Sequence, residues 1–109
     1  MFKTTIVEFF TEAIEVIVGE RIILPKNRIL LEARPKTTHD IDSSAIVQAG
    51  FSRKNKELYL RFSGNPSVLY VYHGVSRHFK DKFKFSPSKG QFFHKFIKNK
   101  FKVSKILGA

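Results

Sequence analysis

Residues 57–73 read ELYLRFSGNPSVLYVYH, and the alternation within this stretch decides the fold class. Successive side chains of an extended chain point to opposite faces, so Leu58, Leu60 and Phe62 share one face while Tyr59 and Arg61 share the other. Gly64-Asn65-Pro66-Ser67 then gathers four turn-forming residues, after which Val68–His73 resumes with β-branched and aromatic side chains. Two such runs joined by a short polar loop predict an antiparallel pair. Tyr70 and Tyr72 fall on one face, so burial of one implies burial of the other.

The pattern extends in both directions. Upstream, Ser44–Phe51 reads as a third antiparallel strand, connected through Arg53-Lys54-Asn55-Lys56. Downstream, Val75, Phe79 and Phe83 lie at i, i+4 and i+8, which places them on one face of a short helix from about Ser76 to Lys84. Residues 86–101, SPSKGQFFHKFIKNKF, predict a second helix with Ser86 as N-cap, Pro87 at the first helical position and an end near Asn99. At about 100° per residue, Phe92, Phe93, Phe96 and Ile97 fill one sector and Gln91, Lys95 and Lys98 the opposite one. Lys100 falls inside the apolar sector, so the helix stops before it. The expected fold is α+β, a small antiparallel sheet packed against one or two C-terminal helices.

Residues 1–41 give a less decided pattern. Phe2, Ile6, Phe9, Phe10, Ala13, Ile14 and Ile17 fall at helical spacing, with Thr5 and Glu8 as a capping box and Gly19 as a terminator. Ile14, Val16 and Val18 also alternate, and their β-branching favours extended chain. The helix is preferred here, followed by a hairpin of Arg21–Leu24 and Arg28–Glu32 turning at Pro25-Lys26-Asn27. Pro35 and the polar residues after it mark a linker. The chain thus divides into an N-terminal extension, residues 1–41, and a basic domain, residues 42–109.

Composition bounds the function. The 109 residues contain no Cys and 42% hydrophobic residues, so a single core without disulfides must hold the fold. Glu8, Glu12 and Glu15 interrupt any N-terminal signal-like segment, and no apolar run reaches the roughly 18 residues of a membrane span. A cytoplasmic protein is expected. The formal net charge of +11 is distributed unevenly: residues 1–54 hold eight Lys and Arg against seven acidic residues, residues 55–109 twelve against two. A field of one sign on one half of a small chain attracts a polyanion: nucleic acid, a nucleotide, an anionic membrane or an acidic protein surface.

Asp42-Ser43-Ser44-Ala45-Ile46, Ala49-Gly50-Phe51, the Leu58-x-Leu60-x-Phe62-x-Gly64 strand, Leu69-Tyr70-x-Tyr72, Val75, and Ser88-Lys89-Gly90-Gln91-Phe92-Phe93 with Ile97 and Phe101 together resemble a KTSC domain, over roughly residues 42–101. That short module is named for its place at the C-terminus of some lysyl-tRNA synthetases and also occurs free-standing in bacteria and phages. Gly50-Phe51 stands where many members have Gly-Tyr, and Val75-Ser76 where Val-Pro is frequent. The resemblance implies RNA binding by analogy of context.

The residues themselves suggest how. Ser86, Ser88, Lys89 and Gly90 gather hydroxyls, an ammonium and an accessible backbone at a helix start, where partial positive charge favours phosphate. Arg77, Lys80 and Lys84 from one helix and Lys95 and Lys98 from the next extend this into a basic surface, continued by Lys82, Lys102 and Lys105. Lysine outnumbers arginine there, which favours phosphate contacts over base readout. Tyr59, Tyr70 and Tyr72 are candidates for stacking on unpaired bases. His39, His73, His78 and His94 are scattered, with no metal-ligand spacing, and no nucleophile, base and orienting acid stand together locally. The reading is a non-catalytic nucleic-acid binding module, RNA favoured over DNA, without cofactor. The alternative is a small phage-type effector that binds an acidic host protein or sequesters a phosphorylated small ligand.

Overall fold

The hairpin at residues 57–73 forms the middle of the molecule. In a computed structural model that describes residues 14–25, 28–33 and 46–107, β4 (Glu57–Phe62) and β5 (Val68–His73) pair antiparallel with Leu58 opposite Tyr72 and Leu60 opposite Tyr70. β3 (Ile46–Ser52) joins β4 on the other side. Three further strands complete a sheet in which every pairing is antiparallel: β1 (Glu15–Val18), β2 (Leu31–Ala33) and β6 (Val103–Leu107), in the order β1-β3-β4-β5-β6-β2. The described parts of the N-terminal extension therefore supply both edge strands of one sheet.

One face of the sheet carries the helices. Leu58, Leu60, Phe62, Tyr70 and Tyr72 point that way, as their alternation requires, and are buried with Phe51, Val75, Phe83, Phe93 and Ile97. Helix α1 (Arg77–Lys84) starts where expected, with the Ser76 hydroxyl accepting the Phe79 N–H at 3.1 Å. The second helix begins later than the sequence suggests. Ser86 donates its hydroxyl to the Phe83 carbonyl at 2.8 Å and so belongs to the end of α1, leaving Ser88 as the N-cap of α2 (Lys89–Phe92), where its hydroxyl accepts the Gln91 N–H.

Helix α2 then widens into a π-helical turn, Phe93–Ile97, closed by a bond from the Lys98 N–H to the Phe93 carbonyl at 2.8 Å. An i→i+5 bond lowers the rotation per residue below the roughly 100° of an α-helix, so the wheel is wrong beyond Phe93. Phe93 and Ile97, four apart, now line up on the sheet and are fully buried, whereas Phe96 is 44% exposed. Phe93 stands edge-on to both Phe62 and Tyr72, at centroid distances of 5.1 and 5.8 Å. After it Asn99, at φ 63°, reverses the chain into β6. This last strand lies in a stretch whose lysines read as helical surface; Val103 and Ile106 are nevertheless core residues on opposite faces.

The other face of the sheet is also apolar, carrying Tyr59, Leu69, Val71 and Ile106. Residues from the N-terminal stretch cover it: Ile22 is buried there, with Ile14 and Leu24 packed around it. Gly50 makes this possible, since a Cβ at that position would stand 2.9 Å from Ile22 Cδ1 and 3.0 Å from Ile14 Cγ2. Gln48 anchors the crossing chain by donating to the carbonyls of Glu20 and Arg21 at 2.8 and 3.2 Å.

Two expectations fail here. Residues 14–17 do not continue a helix, because β-branched Val16 and Val18 lie beside the edge of β3 and pair with it, with Ile17 at an irregularity between them. The hairpin is absent as well: Arg21–Leu24 is not a strand, its Ile22 and Leu24 serve as cover while Ile23 is exposed, and Leu31–Ala33 pairs with β6 instead. The earlier part of the helical reading lies outside the described residues.

The π-turn generates a paired prediction for urea denaturation. Phe93→Ala is expected to cost about 3–5 kcal/mol, as for a large buried ring whose cavity cannot collapse, and Phe96→Ala less than about 1 kcal/mol. Equal losses would mean that the wheel continues as an α-helix through Phe96.

Candidate functional site

The helical face presents the charges singled out in the sequence, and the structure divides them into three groups. Arg77 and Lys95 are exposed, as are Lys82 and Lys102, while Lys98 and Lys105 are half-buried. Lys80 is not available for phosphate: it is buried on α1, with its ammonium on Glu15 at 2.5 Å and Asp81 at 2.6 Å. Burial alone would lower its pKa, but the bonds to Asp81 and Glu15 outweigh it and raise the value. Lys84 reaches the other Glu15 oxygen at 2.8 Å. Strand β1 thus brings a carboxylate to two of the predicted cations.

The serine-lysine-glycine turn bonds largely to itself. Lys89 folds its ammonium back onto the Ser86 carbonyl at 3.2 Å, the Ser86 hydroxyl is on Phe83, and Gly90 is buried. Four residues of α-helix before the π-turn leave a small dipole for an anion. The cations outside this turn therefore carry the basic surface.

The tyrosines are corrected more fully. Tyr59 and Tyr72 are fully buried and Tyr70 nearly so, so none offers a ring face to a base; alternation had already tied Tyr70 to Tyr72. Among the described residues the exposed phenylalanine rings are instead Phe85, 76% exposed, and Phe96. Each has a lysine ammonium over it: Lys84 is 5.6 Å from the Phe85 centroid and Lys95 is 5.6 Å from that of Phe96. Phe96 was assigned to the core by an α-helical wheel, and Phe85 follows directly on the last turn of α1. Both are visible in sequence only once the helix ends are known.

On the opposite face the strands assemble a polar network that sequence reading missed. Glu57 heads β4, and its Oε1 accepts the Tyr59 hydroxyl at 2.5 Å and faces Arg28 Nη1 at 3.1 Å. Its Oε2 meets Arg28 Nη2 at 3.3 Å and His73 Nδ1 at 3.3 Å. The other ring nitrogen of His73 lies 2.9 Å from the Ser104 hydroxyl oxygen. Arg28 also donates to the Tyr59 oxygen at 2.9 Å. Burial, with the bond to Glu57, pushes the Tyr59 hydroxyl well above its ordinary pKa and keeps it a donor. A serine, a histidine and a glutamate thus stand in line across β6, β5 and β4. The register of the hairpin sets Glu57 opposite His73; Ser104 was hidden because β6 was.

Comparison with known proteins follows the fold. The KTSC domain family model matches residues 42–101. The crystal structure of a KTSC domain protein from Yersinia pestis is similar to this chain, with 31% identity and a TM-score of 0.52, covering 62% of this chain and 92% of that one. No curated protein matches. No helix among the described residues is long and apolar enough to cross a membrane.

The Glu15 pairing has a testable pH dependence. Hydrogen bonds from Lys80 and Lys84 hold the Glu15 carboxyl below its ordinary 4.5. A depressed folded-state pKa contributes stability that is present above pH 4.5 and is lost as pH falls through the lower folded value. Glu15→Gln is expected to lower the urea midpoint at pH 7 and to flatten the acid limb of a stability-versus-pH series. An unchanged acid limb would show that the pair contributes nothing.

Proposed function

The chain belongs to the KTSC domain family, and on that premise we propose that it is a nucleic-acid binding module, RNA in preference to DNA, whose contact surface is the outer side of α1 and α2. The observation that carries this reading is the pair of exposed rings under lysine ammoniums, Lys84 over Phe85 and Lys95 over Phe96. An exposed ring beside a cation matches an unpaired nucleotide, whose base stacks while its phosphate meets the charge, directly at Lys95 and in competition with Glu15 at Lys84.

The charge balance supports it. Residues 55–109 contain two acids, Glu57 and Asp81, and both are in ion pairs with cations of the chain. The exposed Arg77, Lys82 and Lys95 are left to act on an external anion. A lysine-rich surface makes point-charge contacts with the backbone, so weak sequence preference is expected. The association of the family with some lysyl-tRNA synthetases is the reason for preferring RNA.

Fluorescence anisotropy of a labelled single-stranded RNA oligonucleotide, titrated at several salt concentrations, tests the proposal. Log affinity should fall linearly with log salt, and combined replacement of Arg77, Lys82 and Lys95 by Ala should reduce the slope by about two units. Phe85→Ala and Phe96→Ala should each weaken binding by about 1–3 kcal/mol if one base stacks on each ring. Replacement of Lys3, Lys26 and Lys36 is the comparison. Equal losses from that set would place the interface elsewhere. Absence of RNA binding together with capture of an acidic protein would replace this reading by the effector alternative.

A further inference from the structure

The strand face away from the helices carries a second chemistry. Val103 packs among the helix-facing core residues, so Ser104, the next residue of β6, points to the other side, as do His73 and Glu57 on their strands. Nothing in the nucleic-acid reading uses these three groups. We propose that Ser104 is a nucleophilic serine, activated by His73, which accepts an acyl group from an activated carboxylic ester or thioester.

Proton placement decides which group acts as the base. The Glu57 carboxylate is an acceptor, so His73 Nδ1, 3.3 Å from its Oε2, is the ring nitrogen at which a proton is favoured electrostatically, and we take that tautomer as part of the proposal. A neutral imidazole has one N–H, and Nε2 is then the acceptor. The Ser104 hydroxyl, 2.9 Å from Nε2, therefore donates to it. This is the arrangement in which a general base withdraws the serine proton as the oxygen attacks. Glu57 is the positioning residue: two contacts from Arg28 and one from Tyr59 fix the carboxylate, and the carboxylate fixes the tautomer.

Access and rigidity agree with this. The His73 side chain is 25% exposed and Ser104 is half-buried, so neither residue is sealed from solvent. The three groups sit on adjacent strands whose register is set by main-chain pairing, including Glu57 with His73 and Val71 with Ser104.

The step balances without a further reactant. Ser104 Oγ bonds to the acyl carbon, the bond from that carbon to its alkoxide or thiolate breaks, and the hydroxyl proton passes through His73 Nε2 to the leaving group. Ser104 is paired on one side with β5 and on the other with β2, so its own amide serves a ladder and does not turn toward the carbonyl oxygen. Weak stabilisation of the tetrahedral oxyanion slows both half-reactions, so the first needs the good leaving group of an activated ester and the second, which must expel the serine alkoxide, is the slower. The expected outcome is one stable acyl group per chain, not rapid turnover.

Incubation of the full chain with p-nitrophenyl acetate, followed by peptide mass spectrometry, reads the site directly. Acetylation of Ser104 should be at least about tenfold faster than that of the exposed Ser67, which has no such base, and should fall about 100-fold in His73→Ala. Free imidazole should restore part of that loss, which a purely structural role of His73 would not allow. Glu57→Asp should retain more of the rate than Glu57→Gln. Ser104→Ala should lose this adduct while lysine acetylation is unchanged. If His73→Ala fails to fold, His73→Gln takes its place. Acetyl groups confined to lysines, or a Ser104 rate unaltered by loss of the imidazole, would overturn the proposal. Because RNA binding is not measured, failure here leaves the function proposed for the helical face standing.

Discussion

The constraint on which the rest of this structure depends is that β4 and β5 are apolar on both faces. Leu58, Leu60, Phe62, Tyr70 and Tyr72 require a cover on one side, and Tyr59, Leu69 and Val71 require another on the reverse. Burying each such side chain is worth roughly 1.5–3 kcal/mol, so neither face can be left to water in a chain this small. The helices meet the first need through Phe93 and Ile97, and the crossing N-terminal residues meet the second through Ile22. Strands β1 and β2 then extend the sheet at its two ends with residues from that same stretch.

Much of the helical side was legible from sequence because its signals are local. Period-two alternation at Leu58–Phe62 gave the face assignment, and the spacing of Val75, Phe79 and Phe83 gave the extent of α1. The reverse side was not, because its cover comes from residues far along the chain whose own pattern is ambiguous. Ile14, Val16 and Val18 alternate, yet Phe9, Ala13 and Ile17 fit a helix, and only an available β3 edge decides between them for the described residues. The π-turn is likewise beyond a wheel that assumes constant rotation. It exchanges Phe96 for surface and aligns Phe93 with Ile97, and that single irregularity changed one core residue into a candidate contact residue.

Electrostatics follows the same division into two faces. On the helical face, the cations exceed the acids available to them, although Glu15 withdraws Lys80 and Lys84 from that surface in part. On the reverse face, charge is enclosed and paired: Arg28 and Glu57 are mutually satisfied with Tyr59, and His73 and Ser104 complete the chain of contacts. A buried carboxylate with this many partners is held in one orientation, since loss of any contact exposes it to an uncompensated desolvation cost. Tyr72 provides the contrast, as its buried hydroxyl has no hydrogen-bond partner among the described residues. Its ring, edge-on to Phe93, is what the core uses.

The central claim is that the reverse face is a packed core closed by the N-terminal stretch, and Ile22→Ala tests it most directly in equilibrium urea unfolding. The account predicts a single cooperative transition whose stability is lower by about 2–5 kcal/mol, with the denaturant slope unchanged, as for a buried aliphatic side chain removed from a tight core. A loss below about 0.5 kcal/mol, the range of an exposed surface substitution, would contradict it and leave Tyr59, Leu69 and Val71 without the cover on which the fold depends.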